Sequence, residues 1–362
     1  MFRFLLFPIS AVWASVMHFR RKFYANGRRI EPKIPTVCVG NLCMGGSGKT
    51  PHVDYLLNLL QSQNKTAVLS RGYGRKTKGF LFADSQSTAQ DVGDEPLLLY
   101  RKNPETIVAV CENRVEGLRK ITEKIPDIDV VILDDAYQYL KLKYGLSILL
   151  TDYYASYPID YVFPVGKLRE SRSAAKDADM IVVAKSPKVM PDMDKHLFLN
   201  KIRPLPHQKV YFSYIEYGEL QPLTASAQTL DIETVRSVVT VSGIANPYLF
   251  LDYVNHKYRE KEHIRFSDHH VFKKSDIDKM LVLYNRIIMR NRAIITTEKD
   301  AMRLMTSELW QQIAHLPIFS IPIEVKFHEK YRKDFENQIT KYVSGKKKFE
   351  KKTVSLQSKL IF

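Results

Sequence analysis

The sequence predicts an α/β fold in which helices flank a parallel sheet, together with a second, smaller α/β domain. Through the first half of the chain, apolar runs rich in β-branched residues alternate with segments of helical pattern; examples of the runs are "PTVCVG", "DVVILDD" and "DMIVVAK". Such alternation is typical of a parallel sheet that is buried on both faces. A stretch rich in proline and charge, "SPKVMPDMDKHLFLNKIRPLPHQ", then precedes a second alternation from "SVVTVSG" to "PIFSIPI".

Shifts in composition divide the chain of 362 residues into five segments. A chain of this length accommodates one large domain or two ordinary ones. The segments are an N-terminal helix expected to associate with a membrane, the main α/β core, the smaller α/β domain, a helix that packs back on the core, and a basic tail; their ranges are 1–27, 28–205, 206–325, 326–343 and 344–362.

The formal net charge is +16, from 55 basic and 39 acidic residues. An excess of this size favours a polyanionic partner, which is nucleic acid, an anionic membrane surface or a phosphorylated substrate, although solubility alone would also account for it. No aromatic and basic RNA motif and no helix-turn-helix pattern occurs, so we expect no nucleic-acid partner. The cysteines lack the spacing of a zinc site or a disulfide framework, which fits a reducing cytosol; they are Cys38, Cys43 and Cys111.

A glycine-rich loop, "GNLCMGGSGKTP", connects the first predicted strand to the helix that follows. Gly48, Lys49 and Thr50 match the end of the phosphate-binding pattern G-x-x-x-x-G-K-[ST], whereas Cys43 stands where the pattern has its first glycine. Glycines let backbone N–H groups approach phosphate oxygens, and we expect Lys49 to reach the β- and γ-phosphates of a nucleotide. The predicted nucleotide-binding residues are Met44, Gly45, Gly46, Ser47, Gly48, Lys49 and Thr50.

Two carboxylates follow the apolar run "VVIL". Because parallel strands end at the sheet edge where the phosphate loop lies, Asp134 and Asp135 are expected to hold Mg²⁺ together with the Thr50 hydroxyl. The loop, the helix after it and these carboxylates predict a P-loop NTPase-like core. The nearest match to the guanine-specifying pattern [NT]-K-x-D ends in Lys274–Asp276 and lacks its first residue, so ATP is the expected nucleotide.

Several further blocks follow one another in a characteristic order: "LSRGYGRKTKG", "VGDEPLLL", "ENRVEG", "VILDDAYQYLKL" and "FPVGKLRES", and then, more weakly to about Ile323, "VSGIANP", "FSDHHVF" and "TTEKDAMRL". With the phosphate loop, they resemble the tetraacyldisaccharide 4′-kinase family of lipid A biosynthesis. The resemblance implies transfer of the γ-phosphate of ATP to the 4′-hydroxyl of a tetraacyldisaccharide 1-phosphate at the cytoplasmic face of the inner membrane. An anionic, acylated substrate agrees with the basic charge of the chain.

The resemblance also implies which residues act. Asp94 in "GDEP" resembles the catalytic aspartate of the family and His269 the histidine paired with it, while the adjacent His270 could take the place of His269. Lys49 completes the expected catalytic set. Asp94 could instead serve only as the N-cap of the helix "EPLLLY". The expected substrate-binding residues are Asn41, Arg71, Arg114, Gln138 and Arg169, of which the three arginines are either phosphate clamps or solvated surface charges.

Four positions depart from the family pattern. The family commonly reads Asp-Asp-Gly-Phe-Gln-His, whereas this chain has Ala136, Tyr137 and Tyr139, so a role carried by the family's histidine does not transfer to this chain. Ser171 follows "LRE" where the family often has proline. Neither change touches the phosphate loop.

An apolar stretch from Phe4 to Met17 precedes the basic run Arg20–Lys22. It is shorter than the ~20 residues that a membrane span needs. Three interpretations stay open: a helix in the headgroup region of an anionic membrane, a helix packed on the core, and a signal peptide cleaved after Ala14. The last conflicts with a phosphate loop that needs cytosolic nucleotide.

The main alternative function is a P-loop GTPase or ATPase that loads a metal or a protein partner. It explains the phosphate loop and the carboxylates after "VVIL", but it leaves the N-terminal stretch and the kinase-like blocks unexplained. We expect a monomer whose partners are an acylated disaccharide 1-phosphate and the anionic surface of the inner membrane.

Overall fold

The structure, a computed structural model, describes residues 5–289 and 291–358. Within those residues the larger sheet has nine strands: β1 (Thr36–Asn41), β2 (Thr66–Ser70), β3 (Leu81–Phe82), β4 (Ile107–Val110), β5 (Val130–Asp134), β6 (Leu146–Asp152), β7 (Met180–Ala184), β8 (Lys209–Tyr217) and β14 (Ile323–Phe327). Their spatial order is β14-β8-β7-β6-β1-β5-β2-β4-β3, and every neighbouring pair is parallel except the edge pairs β3–β4 and β8–β14. The predicted α/β fold with a parallel-dominated sheet is therefore confirmed.

Helices cover both faces of this sheet. They are α1 (Phe7–Ala25), α2 (Lys49–Leu60), α3 (Ala89–Val92), α4 (Asp94–Lys102), α5 (Arg114–Lys124), α6 (Asp192–Ile202) and α11 (Glu329–Ser358), with short 3-10 helices at Tyr157–Ile159 and Arg172–Asp177. Helix α11 continues past residue 343, which is the predicted end of the last helix. Residues 1–4 of the N-terminal segment and 359–362 of the expected basic tail lie outside the described residues.

The central strand β1 is buried along its whole length, which explains why it is apolar on both faces. Successive side chains of a strand point to opposite faces of the sheet. Val37 and Val39 pack in one cluster with side chains of α2 and α11, whereas Cys38 packs in the other with side chains of α5 and α6. The sheet edge that carries the phosphate loop is thereby held between two helical layers.

The smaller sheet lies between β8 and β14 in the sequence. Its strands are β9 (Gln221–Pro222), β10 (Ser237–Ser242), β11 (Glu260–Arg265), β12 (Arg292–Thr297) and β13 (Ile318–Ile321), and its helices are α7 (Ala225–Thr229), α8 (Tyr248–Lys257), α9 (Lys274–Arg286) and α10 (Glu298–Met305). The order is β11-β10-β12-β13-β9, with β9 antiparallel. The expected range 206–325 thus includes β8 and the first three residues of β14, which the structure assigns to the larger sheet.

Helix α1 packs on the larger domain by one face only. Ser10 donates a hydrogen bond to the carbonyl of Val162 (2.9 Å), and Arg21 pairs with the buried carboxylate of Glu170 (2.9 Å). The opposite face is an apolar stripe with 52–68% exposure, formed by Ile9, Val12, Val16, Phe19 and Phe23. No helix in the described part of the chain combines the length and the apolar content that crossing a bilayer requires.

Candidate active site

A cleft of about 1010 Å³ lies between the two domains. The phosphate loop lines it from the larger domain, and His269 and Asn246 line it from the smaller one. Trp13 and Met17 of α1 also contribute, so the N-terminal helix borders the cleft. This volume lies at the upper end of the range for small-molecule sites, as two substrates would require.

The phosphate loop turns sharply between β1 and α2. Gly48 has φ of +85°, a left-handed conformation that favours glycine, and α2 begins at the next residue. The Asn41 amide donates hydrogen bonds to the carbonyl of Cys43 (2.7 Å) and to Oγ of Ser47 (2.8 Å). Asn41 is fully buried behind the loop, where it shapes the loop; its expected contact with substrate stays a prediction.

Lys49 and Arg169 converge on Asp135. Lys49 Nζ lies 3.6 Å from Asp135 Oδ2, and Arg169 Nη1 lies 3.1 Å from both carboxylate oxygens. Although burial opposes ionisation, these two cations lower the pKa of Asp135. Asp135 therefore stays ionised and orients two cations at the mouth of the phosphate loop.

Asp134, by contrast, has few partners. Its Oδ2 accepts a hydrogen bond from Ser70 (3.1 Å), and its buried Oδ1 has no partner among the described residues. Burial, with repulsion from Glu95 and Asp135, raises the pKa of Asp134 to about 7. An orphaned carboxylate oxygen that resists ionisation is suited to a divalent cation, which would supply the missing positive charge.

Within the described residues, no group of three or more His, Cys, Asp and Glu side chains could hold a metal ion unaided. Mg²⁺ commonly keeps only one or two protein carboxylates and takes its other ligands from water and substrate phosphates. Asp134 and the Thr50 hydroxyl in the first turn of α2 fit that mode of binding.

Asp94 and His269 meet where the two domains contact each other, and His269 lines the cleft. His269 Nδ1 lies 3.2 Å from Asp94 Oδ2, and Arg303 of α10 donates to the same oxygen through Nε (2.9 Å) and Nη2. Although burial opposes ionisation, His269 and Arg303 hold the pKa of Asp94 well below its usual value. Gly93 occupies the N-cap of α4 and Asp94 the first helical position, so Asp94 is not the cap.

The two neighbouring histidines have different surroundings. His270 Nε2 contacts Asp276 Oδ2 at 2.8 Å, and its ring stacks on Phe266 with centroids 4.3 Å apart. His269 instead has φ of +56° and contacts Asp94. The geometry therefore favours His269 over His270 as the partner of Asp94.

The predicted arginines all border the cleft. Arg71, Arg114, Arg169 and Gln138 line it, and Gln138 donates to the carbonyl of Asn41 (2.8 Å) while accepting from Arg169 (3.3 Å). Arg114 is almost fully buried, and its Nε has no partner among the described residues. A buried guanidinium with an unused donor is more typical of an anion site than of a solvated surface charge.

Two of the departures from the family pattern, Tyr139 and Ser171, preserve local structure. Tyr139 donates through its hydroxyl to Asn113 Oδ1 (2.7 Å), and its ring lies 5.8 Å from the Arg114 guanidinium carbon. Ser171 has φ of −63°, a value that proline also adopts, so serine preserves the backbone conformation.

Several charged contacts between α4 and α10 were missed in the sequence. Lys299 pairs with Glu95, Lys102 lies 3.3 Å from Glu298, and Arg303 reaches Asp94. The block "TTEKDAMRL" contains three of these residues, but charges spaced along a helix have the same pattern when they face solvent. Only the packing of α10 on α4 distinguishes the two cases.

The His269–Asp94 pair predicts a pH-dependent contribution to stability. The hydrogen bond to Asp94 raises the pKa of His269 in the folded protein, so the contribution is complete below the unfolded value of about 6.5. It is lost as pH rises through the folded-state pKa. The melting temperature of wild type should therefore exceed that of His269→Gln most at about pH 6, and the difference should shrink towards about pH 9. A difference that grows with pH would contradict this assignment.

Comparisons with known proteins agree with one another. A family model described as tetraacyldisaccharide-1-P 4′-kinase matches residues 2–343. Curated proteins named tetraacyldisaccharide 4′-kinase include one from Parabacteroides distasonis, 39% identical over 94% of this chain and 95% of its own, and one from Bacteroides thetaiotaomicron, 36% identical over 93% and 92%. The crystal structure of LpxK from Aquifex aeolicus in complex with ATP aligns with a TM-score of 0.72 and 26% identity, covering 95% of this chain and 100% of that chain.

Proposed function

Because the chain belongs to the tetraacyldisaccharide 4′-kinase family, we propose that its cleft binds ATP on the phosphate loop and the acceptor sugar beside Asp94 and His269. The chain is an ATP-dependent kinase that phosphorylates the 4′-hydroxyl of a tetraacyldisaccharide 1-phosphate, a lipid A precursor. A GTPase or ATPase that loads a metal or a protein is set aside, because the family match extends over residues 2–343.

The phosphate loop and Lys49 bind and orient the β- and γ-phosphates. Mg²⁺, when bound, neutralises charge on these phosphates, and Thr50 and Asp134 are the residues proposed to hold it. Asp135 lies between Lys49 and Arg169 and keeps both cations directed at the phosphates. Phosphoryl transfer needs little covalent chemistry from the protein, so this positioning supplies much of the catalysis.

The acceptor hydroxyl is a weak nucleophile that must lie in line with the γ-phosphate. The bond from the sugar oxygen to phosphorus forms, the bond from phosphorus to the β-phosphate oxygen breaks, and the hydroxyl proton passes to Asp94. In a loose transition state the proton leaves late, so a carboxylate of low pKa can act mainly by orienting the hydroxyl. His269 contacts the Oδ2 atom of the Asp94 carboxylate.

The observation that carries the proposal is that the phosphate loop and His269 line one cleft and that Asp94 lies 3.2 Å from His269. The test is to incubate the protein with γ-labelled ATP and a panel of acylated disaccharide 1-phosphates, and to locate the label on the product. We expect label on the 4′-oxygen and none when that position is already phosphorylated. Release of labelled inorganic phosphate with no labelled lipid would contradict the proposal.

Helix α1 is proposed to hold the enzyme on the cytoplasmic face of the inner membrane. The exposed stripe Ile9–Phe23 recurs every three to four residues, which supports insertion of one helical face into the headgroup region. Lys22 in the last turn of α1 suits anionic lipid. Since Trp13 and Met17 also line the cleft, a lipid substrate could reach it directly from the bilayer surface.

Replacing the outer stripe should weaken membrane binding without affecting ATP binding. We expect Val12→Ser/Val16→Ser/Phe19→Ser to lower vesicle partitioning about 10²-fold, because each residue loses roughly 1 kcal/mol of apolar burial. None of the three residues lines the cleft. The measurement is sedimentation with anionic phospholipid vesicles.

The matched control is Val271→Ser/Val282→Ser/Ile288→Ser, which removes three exposed apolar side chains from the smaller domain. It should sediment as wild type does. Equal binding by the α1 variant and wild type would leave α1 as a helix that serves only the protein core.

A further inference from the structure

Arg303 joins the two domains at Asp94. The two residues are 209 positions apart, and their side chains are 9% and 7% exposed. Asp94 begins α4 in the larger domain, whereas Arg303 lies in α10 of the smaller one. The contact can exist only while the two domains are closed on each other, so it links the position of Asp94 to domain closure.

The smaller domain fixes the Arg303 side chain by contacts of its own. Nη1 donates to Oδ1 of Asp300 (2.9 Å) and to the carbonyl of Gly243 (3.0 Å). Asp300 is held in turn by the Gly243 N–H (2.9 Å) and the Thr297 hydroxyl (2.7 Å). A Cβ at Gly243 would lie 2.9 Å from Asp300 Oδ1, so this arrangement requires glycine. The guanidinium is therefore oriented by its own domain before it meets Asp94.

We propose that Arg303 is a positioning residue for phosphoryl transfer, which presents the Asp94 carboxylate to the acceptor hydroxyl when the domains close. The proposal rests on the role assigned to Asp94 above. Arg303 and His269 both contact Oδ2 of Asp94. Oδ1 accepts one described hydrogen bond, from the Glu95 backbone (3.1 Å), and it is the oxygen left to receive the hydroxyl proton.

Arg303 also sets the charge around Asp94. The other charged or titratable groups that face this carboxylate are Glu95 from α4, Asp268 and His269 from the loop before α9, and Lys299 and Asp300 from α10. Removing the guanidinium leaves Lys299 and His269 as the nearby cations, so the pKa of Asp94 should rise.

The test uses the full chain with Arg303→Gln and Arg303→Lys, assayed for kcat and for the KM of Mg-ATP. We expect Arg303→Gln to lower kcat about 10²-fold while KM changes less than about threefold, since positioning acts in the transition state. Arg303→Lys keeps the charge and should recover part of the loss. Arg101→Gln is the control, because Arg101 contacts Met302 on the same pair of helices and does not touch Asp94.

Introducing Arg303→Gln into the Asp94→Asn variant distinguishes a positioning role of Arg303 from a general effect on protein stability. If Arg303 acts through Asp94, Arg303→Gln should lower kcat there by less than about twofold. An equal loss in both backgrounds or near-wild-type kcat for Arg303→Gln would each overturn the proposal. Near-wild-type kcat for Asp94→Asn would also overturn the proposal for Arg303. Kinase activity of the wild-type protein would still support the proposed function in that case.

A second variant, Gly243→Ala, tests the same proposal if Arg303→Gln folds poorly. Gly243→Ala leaves Asp94 and Arg303 in place but crowds Asp300 Oδ1 (2.9 Å) and the carbonyl of Ser267 (3.2 Å), so it should lower kcat in the same direction. Thermal melts are run on every variant. A Gly243→Ala protein that melts as wild type does and keeps full kcat would contradict the proposed orientation of Arg303 by its own domain.

Discussion

Lys49→Ala is expected to lower kcat for phosphoryl transfer on the order of 10³-fold, because it removes the cation that neutralises charge on the β- and γ-phosphates. The Lys49 ammonium lies 3.6 Å from Asp135 at the mouth of the phosphate loop, where no other lysine of the loop can replace it. Arg169 stays on Asp135 in the variant, so the fold should survive the change. The measurement is kcat at saturating ATP and lipid, with a thermal melt alongside.

Lys120→Ala is the matched control for this variant. Lys120 lies on α5 and pairs with Glu116 at 2.9 Å, away from the cleft-lining residues. Such exposed pairs contribute little, about 0.3–0.5 kcal/mol, so the control should keep wild-type activity. A kcat for Lys49→Ala within a few fold of the wild-type value would contradict the proposed role of the phosphate loop.

The phosphate loop could be predicted from the sequence because its determinants are local. Within twelve residues the sequence has a glycine-rich turn followed by a lysine and a threonine hydroxyl. The structure places the turn between β1 and α2, and the lysine and threonine at the start of α2. Burial on both faces likewise leaves a continuous apolar run that marks each central strand. The α/β class of the fold followed from the same pattern.

The boundaries of the smaller domain could not be predicted in the same way. Strands β8 and β14 are separated by the whole of the smaller domain, yet they pair antiparallel at the edge of the larger sheet. A pairing between strands so distant in sequence has no local signature. The composition therefore indicated a boundary at 206, whereas the chain leaves the larger sheet only after Tyr217.

Site residues that act across domains were missed for a related reason. Glu95, Lys299 and Arg303 read as ordinary helix charges until α4 and α10 are seen together. Asp135 stays a predicted metal ligand because of its position after a strand, while the structure adds contacts with Lys49 and Arg169 that the sequence did not indicate. The role of each such residue depends on which side chains contact it. Those contacts depend on side-chain directions, which the sequence pattern does not reveal.

Asp94→Asn is the second change with a large expected effect. It should lower kcat about 10²–10⁴-fold and leave the apparent affinity for Mg-ATP nearly unchanged, because proton acceptance occurs in the transition state. Asparagine is isosteric and can still accept from Arg303, but it removes one of the two carboxylates that pair with that buried guanidinium, so the melting temperature should also fall. Melts run with and without ATP separate this loss of stability from the loss of catalysis.

The most direct test of the account is kcat at saturating ATP and lipid for four proteins: wild type, Asp94→Asn, His269→Ala and the double variant. Asp94 and His269 lie 3.2 Å apart where the two domains meet, and residues that act as one unit show non-additive losses. We predict a double variant that is little slower than the slower single one. Losses that multiply in the double variant would show that the two residues act independently and would contradict the proposed pair.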